Sequence, residues 1–312
     1  MISACISVYN HNVNRLVDEI SKQAGKAGIT LEIILIDDRS SGFYRTVNRE
    51  ASKEHQYILL EENVGRSKIR NLFPDYARYG KLLFLDCDSV IVADDFLQRY
   101  IDEIPKGAKV ICGGLVNDTD VPSPDRRLRW KYGVSREGQN ALVRKKDPFR
   151  FFRTNNFLID REVLEQIKFT EDISGYGHED TFYAFQLRKA NIMINHIDNP
   201  VLHFNDEENM QFLKKTGEAV SNLVRLMEIT GNDKDFIRQV RLLRVHRIAR
   251  DLYLEWLIRF LFDLAGPLVR VLLSGRFSSL VLLDFYKLGY LSKITQGKIH
   301  SGRPPEEEPA RK

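Results

Sequence analysis

The run Leu82, Leu83, Phe84, Leu85 passes without a polar residue into Asp86, Cys87 and Asp88. A strand buried on both faces cannot carry charge, so the carboxylates mark where it leaves the core. In an open α/β sheet that exit is the ligand-binding edge. Residues two apart on an extended chain point to the same side, which puts both carboxylates on one face. Two hard oxygen donors arranged in this way suit Mg²⁺ or Mn²⁺ bridging to phosphate oxygens.

The same punctuation recurs along the chain. Residues 2–8 read as a strand ending at Tyr9, Asn10, His11 and Asn12. Val13, Leu16, Val17, Ile20 and Ala24 then follow helical spacing, and Gly25 and Gly28 bracket the end. Residues 32–36 form a second strand before Asp37, Asp38, Arg39 and Ser40, and residues 57–60 a third before Asn63, Gly65 and Arg66. Ile69, Leu72, Phe73 and Tyr76 stripe another helix; Phe96, Leu97, Tyr100 and Ile104 stripe the one after residues 82–85; residues 109–112 are a fifth strand. Such alternation predicts an α/β fold with a mostly parallel sheet and right-handed crossovers. The polar clusters all follow strands and should converge on one edge.

Residues 117–153, rich in arginine and carrying Pro122, Pro124 and Pro148, read as a long irregular insertion. Regular structure resumes at 154–159. Gly177, His178, Glu179 and Asp180 open a further helix, and a strand over 192–197 leads on to His203. From about residue 207 the pattern is helical. Arg238, Arg241, Arg244, Arg247 and Arg250 recur every third residue, so on one helix each step turns about −60° and they spiral around most of the circumference. In 252–273, Glu255, Arg259, Asp263 and Arg270 share one face and the rest is apolar. A basic helix beside an aromatic-rich amphipathic one predicts peripheral membrane attachment; the alternative is a helical subdomain packed on the core or on a second subunit. The expected organisation is a catalytic domain over 1–215, an amphipathic helical region over 216–300, and a disordered Pro/Glu tail over 301–312.

At 43% hydrophobic residues, the 312-residue chain can bury a substantial core. A formal charge of only +4 excludes a nucleic-acid binder of the strongly basic kind. Cys5, Cys87 and Cys112 show no pairing pattern, which fits a reduced cytoplasmic setting. The first residues lack a signal-peptide pattern, and no run reaches about 18 uninterrupted apolar residues, the nearest, within 252–290, being punctuated by charges, so a spanning helix is not expected. The expected location is the inner face of the cell membrane.

Taken in order, Ile6–Ser7–Val8–Tyr9–Asn10, Asp37–Asp38–Arg39–Ser40, Asn63–Val64–Gly65–Arg66 with Arg70–Asn71, Asp86–Cys87–Asp88 and Gly177–His178–Glu179–Asp180 resemble a family 2 glycosyltransferase of the GT-A fold. The resemblance covers roughly residues 2–215; the C-terminal helices are similar to those of bacterial members that build surface polysaccharide. It implies an inverting transferase that moves a sugar from a UDP-sugar to a glycan or lipid-linked acceptor. Tyr9 and Asn10 would line the nucleoside pocket, and Asp38 would accept from the uracil ring. Arg66 and Arg70 would approach the diphosphate, on a loop shaped by Asn63 and Asn71. Asp86 would contact ribose or metal, Asp88 would bind Mn²⁺ or Mg²⁺, and His203 matches a third metal ligand. Glu179–Asp180 resembles the acidic pair whose aspartate is the catalytic base.

Blander roles stand beside these. Asp37 and Asp38 could cap a turn, Arg66 and Arg70 could be surface residues, and Glu179–Asp180 could balance a helix dipole. Two other classes compete. The Asp86–Cys87–Asp88 run also fits the nucleophile motif of haloacid-dehalogenase-type phosphatases, but that motif belongs on an opening strand. A non-catalytic membrane-associated binding protein is the second, and the full set of acidic clusters argues against it. The sugar, the acceptor and the oligomeric state leave no mark in the sequence.

Overall fold

The computed structural model describes residues 1–204 and 206–301. The chain divides into two compact units. The first comprises Met1–Val121, Trp130–Ser174 and Glu179–Asp206; the second comprises Pro122–Arg129, Gly175–His178 and the chain from Glu207.

The first unit is built on a seven-stranded sheet. Its strands are β1 (Ile2–Val8), β2 (Leu31–Asp37), β3 (Gln56–Leu59), β4 (Lys81–Asp86), β6 (Val110–Cys112), β8 (Asn156–Asp160) and β9 (Ile194–His196). They lie in the order β3-β2-β1-β4-β8-β6-β9, and only β8 runs antiparallel to its neighbours. A smaller sheet joins β5 (Val90–Ile91), β10 (Val201–His203) and β7 (Leu115–Asn117) in the order β5-β10-β7. The helices of this unit are α1 (Asn14–Ala27), α2 (Gly42–Ala51), α3 (Gly65–Tyr76), α4 (Phe96–Glu103), α6 (Ala141–Lys146), α7 (Arg161–Gln166) and α8 (Glu179–Lys189); α5 (Arg127–Tyr132) begins in the second unit.

Strand alternation sorts the core into two layers. Ile2, Ala4, Ile6 and Val8 of β1 pack with Leu83 and Leu85 of β4 against α1 and α4. Cys5, Leu82 and Phe84 point the other way, toward α3, α7 and α8. Phe84 stands opposite Phe157 in the β4–β8 register and stacks on it at 4.8 Å. The chain leaves β1 for β2 and β3 on one side, then returns to β4 on the other. The gap between the ends of β1 and β4 is thus the switch point where an open sheet offers a crevice. The antiparallel β8 brings its beginning, not its end, to that edge.

Several elements differ from the sequence reading. Residues 42–51 form α2, which the periodicity hides because its buried residue is polar: Asn48 donates to His11 O and accepts from Val13 N. The supposed irregular stretch 117–153 holds α5, a π turn over Gly133–Glu137, and α6. Short helices of this length give apolar periodicity no room to repeat. The five arginines do not share a helix.

The second unit contains α9 (Asn209–Ile229), α10 (Lys234–Gln239), α11 (Arg241–Asp251), α12 (Glu255–Ser274) and α13 (Leu280–Ser301). Asp233 caps α10 by accepting from Asp235 N and Phe236 N, and Val240, extended at φ −95° and ψ 111°, separates it from α11. Arg238 therefore belongs to a different helix from Arg241. Asn222 of α9 donates to the carbonyls of Tyr176 and Gly177. Gly177 takes φ +100°, and a Cβ there would lie 2.6 Å from that of Ala219. Among the described residues no helix is long and apolar enough to cross a membrane. The expected tail from residue 302 lies outside the described residues.

Candidate active site

The strand ends of the first unit do converge, and backbone hydrogen bonds knit them together. Asn10, at φ +48°, accepts from Ser41 N through its side chain and donates its own N–H to Ser40 Oγ, stapling the β1 and β2 exits. Asp37 accepts from Ser40 N at 2.6 Å and from the Tyr57 hydroxyl. Asp38 takes the amides of Val64 (2.6 Å) and Gly65 (3.0 Å), and Asn63 donates to Asp38 O. Burial pushes the Asp38 carboxyl up, the two amides oppose that, and Asp37 adds to it. The Asp37–Asp38 pair thus holds the β2 exit against the loop that starts α3, while Tyr9 stands 54% exposed beside it.

Arg70 is the hub. Its side chain, only 5% exposed, donates to Asp86 Oδ1 at 3.1 Å, lies 3.9 Å from Glu179 Oε1, and donates to Arg66 O at 3.2 Å. Arg66, one turn earlier on α3, lies 3.7 Å from the same Glu179 oxygen and is half exposed. One buried guanidinium therefore joins the acidic end of β4 to the acidic start of α8. Burial pushes the Asp86 carboxyl above its ordinary range with help from Asp88; Arg70, Arg66 and His203 pull the other way.

The small sheet sets the other flank. Val201 and Leu202 pair with Ile91 and Val90, a register that carries His203 back toward Asp88. His203 Nε2 lies 3.5 Å from Asp88 Oδ2, and His203 Nδ1 is buried without a hydrogen bond. Two carboxylates and an imidazole match what Mn²⁺ or Mg²⁺ accepts. Among the described residues no three His, Cys, Asp or Glu side chains are grouped so as to hold a metal ion by themselves, so Asp86, Asp88 and His203 do not form a ready-made metal site. Cys87 packs inward, and burial, with Asp88, pushes its thiol up to about 12, which leaves it inert as a nucleophile.

Glu179 and Asp180 occupy different surroundings. Glu179 is tied to the arginines. Asp180 Oδ1 accepts from Thr181 N (2.6 Å) and Oγ1 (3.1 Å), and its Oδ2 lies 3.4 Å from Arg153 Nη1. Asn71 is engaged away from Asp86 and Glu179: its amide exchanges two hydrogen bonds with the Phe169 backbone and donates to Glu171. Sequence reasoning missed Arg153 and Asn155. The Asn155 carbonyl accepts from Asp86 N at 3.1 Å, and its buried amide group has no hydrogen-bond partner. Both residues precede β8. A search for polar clusters before strands as well as after them would have found them.

Residues 3–168, more than half of the chain, match the model of Glycosyl transferase family 2. The chain belongs to that family and is a glycosyltransferase. Among curated protein sequences none matches. Solved structures share the fold at low identity. Mannosyltransferase PcManGT from Pyrobaculum calidifontis, in complex with GDP-Man and Mn²⁺, is 14% identical; the match covers 96% of this chain and 81% of that one, with a TM-score of 0.54. Glucosyl-3-phosphoglycerate synthase from Mycobacterium tuberculosis, in complex with Mn²⁺, UDP and glucosyl-3-phosphoglycerate, is 12% identical over 75% of this chain and 81% of that one, with a TM-score of 0.52. S. aureus TarS 1-349 in complex with UDP is 14% identical over 95% and 91%, with a TM-score of 0.50. The match spans 38% of a longer TarS chain.

Proposed function

We propose that the first unit transfers a sugar from a UDP-sugar to a hydroxyl of a glycan or lipid-linked acceptor, with inversion at the anomeric carbon. Tyr9 lies against the base, with Asn10 and Asp38 at the nucleoside edge. Arg66 reaches the diphosphate, Asn63 shapes its loop, and Arg70 holds Asp86 in place. Asp86, Asp88 and His203 would hold a divalent cation, Mn²⁺ or Mg²⁺, which would supply positive charge against the departing diphosphate. Asn155, with an unsatisfied amide beside Asp86, is suited to a donor-sugar hydroxyl. The observation that carries this reading is the Asp86–Arg70–Glu179 bridge, which fixes the leaving-group end of the site against the residue next to the base.

Asp180 takes the proton of the acceptor hydroxyl as its oxygen bonds to the anomeric carbon and the bond to the β-phosphate oxygen breaks. Arg153 and Thr181 fix the carboxylate for that task. Glu179 positions the arginines. Asp180→Asn keeps the shape and removes the base. It should abolish transfer, by a factor of about 10² or more, while Mn²⁺-dependent UDP binding stays near wild type. Normal turnover by that variant sinks the assignment.

The second unit serves attachment. Its helices make a peripheral contact with the inner face of the cell membrane, where a lipid-linked acceptor in surface-polysaccharide synthesis would be met. The apolar exposed side of α12 supports this reading.

A further inference from the structure

Trp256, Phe260, Leu264, Leu268 and Val271 recur at steps of four and three along α12 and are between 59% and 72% exposed. They lie opposite Phe262, Val269 and Leu273, which are buried. A helix that buries one apolar side inside its unit and presents another outward has a surface that water does not favour. On α11 and just past its end, Val245, Ile248 and Leu252 are also exposed, on the same side as Arg241 and Arg244.

Charge says what covers it. Residues 234–276 carry nine Lys and Arg against four Asp and Glu, a surplus larger than the +4 of the whole chain. Part of that surplus surrounds a cavity of about 340 Å³ on this unit. Ile237 and Leu243 contribute its apolar lining, and Lys234, Arg247 and Arg250 its cationic one. Arg247 lies 3.9 Å from Asp251; Lys234 and Arg250 have no ion-pair partner among the described residues. His246 also lines the cavity, is buried, and its Nε2 makes no hydrogen bond, although Glu255 Oε1 lies 3.3 Å away. Glu255 opens α12 and directly precedes Trp256, so the His246–Glu255 contact ties the cavity lining to the first turn of α12. Indoles favour the headgroup level of a bilayer.

We propose that this cavity binds the phosphate of an anionic phospholipid headgroup, with Lys234, Arg247 and Arg250 as its donors, while the outer face of α12 lies among the acyl chains. The proposal rests on the membrane-attachment reading and adds a specific site to it. The site sits outside the transfer chemistry and gives the enzyme a preference for anionic leaflets.

The test is flotation of the full chain with vesicles of phosphatidylcholine alone and of phosphatidylcholine mixed with phosphatidylglycerol. Wild type should favour the mixed vesicles. Lys234→Gln/Arg250→Gln, a change at two exposed positions, should bind mixed vesicles on the order of 30-fold more weakly and neutral ones equally. Leu264→Gln/Leu268→Gln should lose both. Mn²⁺-dependent stabilisation by UDP, unchanged in all, reports an intact first unit. If the Lys234/Arg250 variant keeps the wild-type preference, the headgroup site is wrong and attachment stands. If wild type binds neither vesicle, attachment and site fall together, and the transferase reading is untouched. If millimolar inorganic phosphate stabilises wild type and not the variant, while vesicles do not distinguish them, the occupant is a soluble phosphate and the lipid proposal is overturned.

Discussion

Removing Arg70 should separate the two halves of the active site. In Arg70→Met the volume is largely kept, but Asp86 loses its 3.1 Å partner and Glu179 keeps only Arg66 at 3.7 Å. Deleting one member of a fully buried ion pair costs about 3–5 kcal/mol. Here Asp86 is 36% exposed, so water takes over part of the lost interaction. A cost of about 2 kcal/mol is therefore expected, which lowers the melting temperature by roughly 4–8 °C for a domain of this size. With Asp86 no longer held, Mn²⁺-dependent UDP binding should weaken about tenfold, or ~1.4 kcal/mol. Arg70→Lys keeps the charge but cannot span Asp86, Glu179 and Arg66 O together, so it should recover part of both losses. Calorimetric melting and UDP titration of the three proteins read the outcome directly. An unchanged melting temperature with unchanged UDP affinity in Arg70→Met would refute the bridging role.

Two further predictions concern the sheet edge behind the site. Arg144 donates to His196 Nδ1 at 2.8 Å, so the other ring nitrogen carries the proton and donates to Pro148 O. Burial, with Arg144 adding, lowers the His196 pKa from 6.5 to about 4. Above pH 6.5 the imidazole is neutral folded and unfolded; below it the unfolded chain binds a proton that the native state refuses, so stability falls from pH 6.5 toward 4. The loss should approach about 3 kcal/mol and should shrink in His196→Gln, as measured by denaturant unfolding across that range. Gly113→Ala would bring a Cβ within 2.5 Å of Asn156 Nδ2, Asn199 O and Tyr100 Oη, a buried network with no room to yield. It should destabilise the protein by ~2–3 kcal/mol; a melting temperature equal to wild type would contradict that packing.

The acidic exits of β2 and β4 were legible in the sequence because an apolar run and its polar end are adjacent in the chain. What those residues hold was not. Asp38 binds amides twenty-six and twenty-seven residues away, and Arg70 joins α3 to β4 and α8, pairings that only the folded sheet creates. Arg153 and Asn155 escaped because β8 is antiparallel, so its ligand edge comes before the strand. The helix α2 escaped because it docks through Asn48. The arginine repeat misled because spacing alone does not reveal that Val240 is extended and ends one helix before the next begins. Composition pointed to an amphipathic α12, but its outward apolar side became visible only once Phe262, Val269 and Leu273 were seen to face inward.

The central claim is that Asp86, Asp88 and His203 form the metal-dependent seat of a nucleotide-sugar diphosphate. A panel of nucleotide sugars, scored by melting temperature with and without Mn²⁺, tests it in wild type and in Asp88→Asn. The account predicts stabilisation by UDP-sugars that needs Mn²⁺ and is lost in Asp88→Asn. Stabilisation that is indifferent to the cation, or equal in the variant, would contradict it.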